Sequence, residues 1–574
     1  MRRYWVVALA VLTFLGMLSP PAFAQAPAPK VTITGLIDTV TSAHWNLSML
    51  DGDFTRSSDT MWSSRQRGVF FITGEVDKAK AVLGLELDLG WGMTSTGHSN
   101  TQYAAGPQLP FSTGEAFGLG DDNLNVIEIK NMYVEFPVPL IPWATTLRIG
   151  GQPGAGVAQY KPILFFDDFP GVYLVTTITP AVKFHFFYAA VDEDATGCVS
   201  GGRFTGGGAR RADACAALIV PAGAAPVNAF GTRGFFNRGD DMVVGLSVDV
   251  TPIKELQVRP NWVRVEVKGQ PTNSQNTSLP AVGLGGVVLN NAGGTGVFNS
   301  DQAKRVLDFF GIDARWRSGP WSLDPTFIYL TGTNDVANNA VGLTGGVVGQ
   351  DVRSWLVDIR GGYRVGPLNL EGFFLYTPGN NARDNIGQYA TGRKLAAQNW
   401  LNPPNTGGAY GATWSNFLVG GIDYIRAPYI GTSMYSGTAI SLDRYGRVSA
   451  AIGPSYALTP ALTLNGLVAA HWTDKKVDNH GVFSGAAGWT PETAGGNING
   501  ESNYVGTEVA LGLTWSFAPG LTFDTSFAHL FAGDALRQCR DPLVGGVCGG
   551  GGGAREISDA KDATSLAARV RFQF

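Results

Sequence analysis

Apolar and polar residues alternate along this chain in short, repeated stretches. In Lys80 to Trp91, Leu83, Leu85, Leu87, Leu89 and Trp91 fall on one parity, and Gly84, Glu86 and Asp88 on the other. The same split returns in Phe310, Ile312, Ala314 and Trp316 against Asp313, Arg315 and Arg317, and in Val357 and Ile359 against Asp358 and Arg360. It returns again in Val509, Leu511, Leu513 and Trp515 against Glu508 and Thr514. A period of two places the sets on opposite faces of a β-strand. Charge sits on the same parity strand after strand, with Trp91, Trp316, Tyr363, Tyr376, Trp472 and Trp515 near strand ends, where an interfacial aromatic belt belongs. The pattern runs to the C-terminus: Leu566, Ala568, Val570, Phe572 and Phe574 oppose Ala567, Arg569, Arg571 and Gln573.

The connections alternate too. Short turns stand at Asp77-Lys78-Ala79, Pro137 to Pro142, Thr179-Pro180-Ala181, Thr251 to Lys254, Ser318-Gly319-Pro320, Gly366-Pro367, Thr459-Pro460 and Ala518-Pro519-Gly520. Pro presets φ and Gly supplies the positive φ that tight turns require. Between the hairpins lie long polar, Gly-rich segments, among them Met93 to Asp122, Glu193 to Gly239, Gly269 to Gln302 and Gly379 to about Ser441. Eight hairpins with a first strand from Lys30 to Thr41 and a last strand at the C-terminus predict an all-β transmembrane antiparallel β-barrel of about 16–18 strands, 18 favoured, with short periplasmic turns and long external loops. Pro260, Pro325 and Pro454 inside strands require bulges or lost ladder bonds.

Composition agrees with one large barrel: 77 glycines, 11% aromatic residues and 15% charged residues, with no shift that would divide the chain. Arg2, Arg3, an apolar run from Tyr4 to Leu18 and small residues ending at Ala24 form a secretory signal, 1–24, leaving 25–574 as the barrel. Its removal takes two arginines and no acid, moving the formal charge from −4 to −6, which gives no reason to expect nucleic acid. Beyond the signal no apolar run approaches the roughly 18 to 20 residues of a membrane helix. Cys198, Cys215, Cys539 and Cys548 are an even set in an exported chain and are disulfide candidates, most simply as the two local pairs. They lack metal-ligand spacing, and neither a metal nor another cofactor is expected. No His-Glu-x-x-His, Gly-Lys or Gly-x-Ser-x-Gly motif marks an enzyme, so no catalytic residue is assigned.

Val31-Thr32-Ile33-Thr34-Gly35-Leu36-Ile37-Asp38 resembles the first strand of the general trimeric porins. Ser64-Arg65-Gln66-Arg67-Gly68, with Gly74-Glu75-Val76-Asp77 and Leu85-Glu86-Leu87, is similar to their second hairpin, and a terminal Phe574 resembles the closing strand of bacterial outer-membrane barrels. The resemblance implies a homotrimer of 16-stranded barrels in outer-membrane lipid, each with a water-filled pore narrowed by its third external loop. The function implied is passive diffusion of small hydrophilic solutes and ions. A substrate-selective channel and a surface-display or adhesive barrel are the alternatives.

The third long connection, about 151–171, is short, aromatic and acidic, with Tyr160, Lys161, Phe165, Phe166, Asp167, Asp168 and Phe169. As a pore-constricting loop it would set Tyr160, Lys161, Asp167 and Asp168 in the lumen, the two acids facing arginines of the wall. Parity gives the wall charges as Arg65, Arg67, Glu86, Asp88, Arg148, Arg264, Arg315, Arg317, Arg360, Arg364, Arg447, Arg569 and Arg571. Opposed charges across a narrow pore would make a transverse field that orients polar solutes. The plainer alternative is that inward arginines pair with inward acids such as Asp249, Asp313, Asp358 and Glu371.

Overall fold

The computed structural model describes residues 28–46, 61–90, 127–139, 141–154, 156–161, 163, 168–192, 241–268, 304–338, 346–379, 446–477, 482–484, 488–490, 502–540, 556–558 and 560–574. Its strands are β1 (Lys30–Trp45), β2 (Met61–Val76), β3 (Ala79–Gly90), β4 (Ile127–Pro137), β5 (Ala144–Gln152), β6 (Phe169–Thr179), β7 (Val182–Asp192) and β8 (Asp241–Ile253). There follow β9 (Leu256–Lys268), β10 (Lys304–Ser318), β11 (Trp321–Asn338), β12 (Gly346–Val365), β13 (Leu368–Thr377), β14 (Arg447–Thr459) and β15 (Leu462–Val477). A short ribbon of β16 (Val482–Ser484) and β17 (Gly488–Thr490) precedes β18 (Ser502–Ala518) and β19 (Leu521–Ala532). A second ribbon, β20 (Gln538–Arg540) with β21 (Glu556–Ser558), precedes β22 (Ala563–Gln573). Setting the two ribbons aside, 18 strands form one antiparallel sheet, and β1 pairs with β2 on one edge and β22 on the other, so the sheet closes. The strand number is that of the turn count and two more than the 16 implied by the porin resemblance.

The eight expected turns are all present, and Asp77, Gly319, Gly366 and Gly520 take positive φ at four of them. The three strand prolines remove ladder pairs without shifting register. Pairing skips from Ser247↔Asn261 to Val250↔Val258 around Pro260, from Asp313↔Thr326 to Trp316↔Leu323 around Pro325, and from Ile452↔Val468 to Ser455↔Asn465 around Pro454.

The outer face is apolar and exposed, as in Phe310, Ile312, Phe327, Ile359, Leu511, Val570 and Phe572. Two aromatic belts bound it. Trp321 packs against Tyr363 near the short turns, and Trp355 against Tyr376 near the long loops, both pairs tilted. Tyr363 and Trp355 lie eight positions apart on β12, about 26 Å along the strand and roughly 20 Å along the barrel axis at a tilt of about 40°. That height matches hydrocarbon. Among the described residues no helix is long and apolar enough to cross a membrane, a statement that does not bear on strands.

The inner face is divided. It carries charge toward the short turns of β10 and β12, at Asp313 and Asp358, and higher on β1 and β3, at Asp38 and Glu86, all almost completely buried. Nearer the long loops, on β7–β12, it is apolar: Phe187, Val263, Val265, Leu307, Phe309, Ile328, Leu330 and Leu356 are buried there. This division corrects one wall assignment. With Val263 and Val265 inward, Arg264 lies on the outer face, where it meets Asp308 (3.4 Å) and Glu266 (3.8 Å). Trp262 donates to Asp308 beside it (3.0 Å). Here β9 and β10 rise past the aromatic belt, water replaces hydrocarbon outside, and the charged parity turns outward.

Candidate functional site

The third connection spans 153–168 between Gln152, the end of β5, and Phe169, the start of β6, slightly inside the expected 151–171. Gly150 makes the exit possible: at φ +125° a Cβ there would stand 2.2 Å from the Met132 carbonyl oxygen. Buried Gln152 then donates through Nε2 to the Gly171 carbonyl (3.0 Å), holding the two ends of the loop together.

The described residues of the loop dock on a distant, inward-facing part of the wall. The backbone N–H groups of Tyr160 and Lys161 donate to Asp313 Oδ2 on β10 (2.7 and 3.1 Å). The other oxygen of Asp313 accepts from Thr326 on β11 (2.5 Å). Lys161 Nζ donates to Asp358 Oδ1 (2.5 Å), the Asp358 carbonyl (3.2 Å) and the Asp324 carbonyl (2.7 Å), so one ammonium spans β11 and β12. The Tyr160 ring lies between two guanidinium groups, Arg259 at 4.3 Å and Arg315 at 4.5 Å. Arg315 Nη2 also donates to the Tyr160 carbonyl (2.9 Å), and Arg259 Nη1 to that of Gly156 (2.7 Å). Val157, Ala158 and Ile163 are buried in the interior apolar cluster.

Burial shapes the two anchoring side chains. It holds the Lys161 ammonium below the usual lysine range, an effect that Asp358 opposes and Arg360 reinforces. It raises the Tyr160 phenol well above its ordinary value, with the Asp249 carboxylate adding to the rise.

At the base of the loop, Asp168 pairs with a lysine where arginines were expected. Lys130 Nζ lies 3.2 Å from Asp168 and 2.7 Å from Glu86, which also binds Arg67 (2.6 Å). Lys130 reaches the lumen because the β3–β4 register slips between Gly84↔Asn131 and Leu85↔Ile129, a bulge that turns an extra side chain inward. Lys130 shares the local parity of Glu128 in Ile127-Glu128-Ile129-Lys130, a signal that the wall assignment did not use. Arg259 escaped for a related reason: it has the parity opposite to Arg264, whose assignment to the lumen hid it.

Four further wall arginines are paired with acids. Arg148 holds Glu135 through Nε and Nη2 (2.8 and 2.7 Å) and lies over Tyr133 (4.7 Å). Arg360 meets Asp358 (3.0 Å), Arg569 meets Asp524 (2.9 Å), and Arg571 grips Asp38 with two bonds (2.6 and 2.5 Å). The pairing alternative therefore describes these arginines, while Arg315 is engaged with the loop itself. Arg65, Asp88 and Arg447 lie on strands, but their side chains, with Asp167, Cys198, Cys215 and Cys548, fall outside the described residues; Cys539 is placed on β20 by its backbone only. Among the described residues no three His, Cys, Asp or Glu side chains are grouped to hold a metal ion.

No protein-family model matches the chain, and no curated protein matches it. Among solved structures it is similar to OccAB4 of Acinetobacter baumannii, at 10% identity over 96% of this chain and 99% of that one, with a TM-score of 0.45. It is similar to OccK5 (OpdH) of Pseudomonas aeruginosa at 11% identity over 94% and 98%, with a TM-score of 0.40. The outer membrane protein OpdK of the same organism gives 10% identity over 95% and 99%, with a TM-score of 0.41.

Proposed function

We propose that the chain is an outer-membrane porin, a channel through which small hydrophilic solutes and ions diffuse passively. The observation that carries this reading is the closed barrel of 18 strands with an apolar exterior between aromatic belts and charge on its inner wall. A barrel of this size leaves an aqueous interior. Export by cleavage after Ala24 and assembly as a homotrimer belong to the same reading and rest on the signal pattern and the first-strand resemblance.

The docked loop favours the selective form of the channel. Tyr160 and Lys161 fasten it to β10–β12, four to six strands along the barrel from β6, so the lumen is narrowed on that side. The narrowed section is lined by paired charges of both signs, which orient a passing dipole without offering a strong net charge. Liposomes loaded with an impermeant polymer and carrying the purified chain test this. Swelling should be fast in small sugars and amino acids and fall steeply with solute size, and absence of swelling in any solute contradicts the channel.

A further inference from the structure

One buried chain of contacts leads from the wall to the loop. Tyr173 on β6 and His185 on β7 are joined at 2.8 Å through the phenol oxygen and Nδ1. His185 Nε2 lies 3.0 Å from Asp249 Oδ2 on β8. Arg259 on β9 grips the same carboxylate, Nε to Oδ1 and Nη2 to Oδ2 (2.9 Å). From there Arg259 reaches the loop at the Gly156 carbonyl and the Tyr160 ring. An ionised carboxylate only accepts, so the Asp249 contact places a proton on Nε2, and neutral Nδ1 then accepts from the Tyr173 hydroxyl.

We propose that His185 is a positioning residue for the pore loop, holding it through Asp249 and Arg259 when neutral and loosening it when protonated. The proposal rests on the channel reading. Histidine is the side chain whose charge changes near neutral pH. A proton arriving at Nδ1 reverses that bond, so that Nδ1–H donates and the Tyr173 hydroxyl must turn to accept, and it places an imidazolium on the oxygen that already binds Arg259 Nη2. Two cations then share one carboxylate, and their repulsion moves Arg259 from the geometry in which Nη1 meets Gly156. The other charged or titratable groups around the pair add to this effect or are already committed. Lys183 shares the inward parity of His185 and stands opposite Asp249 in the ladder. Arg148 on β5 lies over the Tyr173 ring (5.7 Å) and is bound to Glu135 on β4. Tyr160 from the loop stacks on Arg259.

The test is single-channel recording of the full barrel between roughly pH 8 and pH 5. The wild-type chain should show conductance or open-channel noise rising by roughly twofold or more on acidification, in a single-proton step. His185→Gln, which keeps a polar amide but cannot become charged, should hold the neutral-form behaviour at both ends of the range. An unchanged pH profile in His185→Gln overturns the proposal. A second readout does not need current. Ala158 is a buried residue of the loop itself, and in an Ala158→Cys variant, read above the background of the native cysteines, the rate of labelling by a water-soluble thiol reagent, divided at each pH by the rate in Ala158→Cys with His185→Gln, should rise toward acid pH; the ratio removes the slowing that loss of thiolate alone causes. A ratio that does not change with pH contradicts the relay. Failure of the channel reading would show separately, as a wild-type barrel that carries no current at any pH.

Discussion

At the scale of single residues the account turns on Lys161, whose side chain is 4% exposed and whose partner Asp358 is fully buried. Removing one member of a buried ion pair destabilises by about 3–5 kcal/mol, because the other charge is left behind. Lys161→Ala should therefore release the tip of the loop, seen as greater open-channel noise and a higher mean conductance in an otherwise folded barrel; recordings indistinguishable from wild type would remove Lys161 from the anchor. The pH dependence has a definite sign. The docked lysine binds its proton less tightly than a free one, so docking gains as pH rises through the window below the ordinary lysine value of 10.5. Noise should fall across that alkaline window in the wild type and stay flat in Lys161→Ala. The raised phenol of Tyr160 remains protonated there and does not mask the effect.

At the scale of elements, alternation revealed most strands and most inward charges, because a period of two separates two solvents wherever the outer one is hydrocarbon. It failed where that condition ends. Arg264 stands above the aromatic belt, where both faces are open to different rules, and parity alone placed it in the lumen. Lys130 was passed over although Ile127 to Lys130 alternate locally, because the bulge puts it out of step with Asn131 and the rest of β4. The docking of Tyr160 and Lys161 on Asp313 and Asp358 joins positions more than 150 residues apart in sequence, and no local pattern encodes such a contact. The two arginines separate in a direct comparison. Arg315→Gln should shift the reversal potential in a salt gradient toward cation preference, since Arg315 meets the loop carbonyl and ring and, among the described residues, no carboxylate within ion-pair distance. Arg264→Gln should leave selectivity and conductance unchanged. A shift from Arg264→Gln equal to that from Arg315→Gln contradicts the outward placement.

At the scale of the whole molecule, the fold depends on joining its first and last strands, and the seam carries a strong contact. Asp38 on β1 is fully buried and held by two bonds from Arg571 on β22. Arg571→Ala strands that carboxylate and should lower the temperature at which the folded form converts to the slower-migrating unfolded form on a gel by several degrees. An unshifted transition would show that the seam is held by its ladder alone. The strand number was legible in the sequence as a count of turns, whereas the division of the interior into charged and apolar regions was not, because an apolar inward residue and an apolar outward one look alike in sequence. The central claim is that this barrel encloses a continuous aqueous path. Planar-bilayer recording of the purified chain measures it directly: the account predicts discrete, ohmic current steps with only weak ion preference in a salt gradient, and a folded, inserted barrel that passes no current would contradict it.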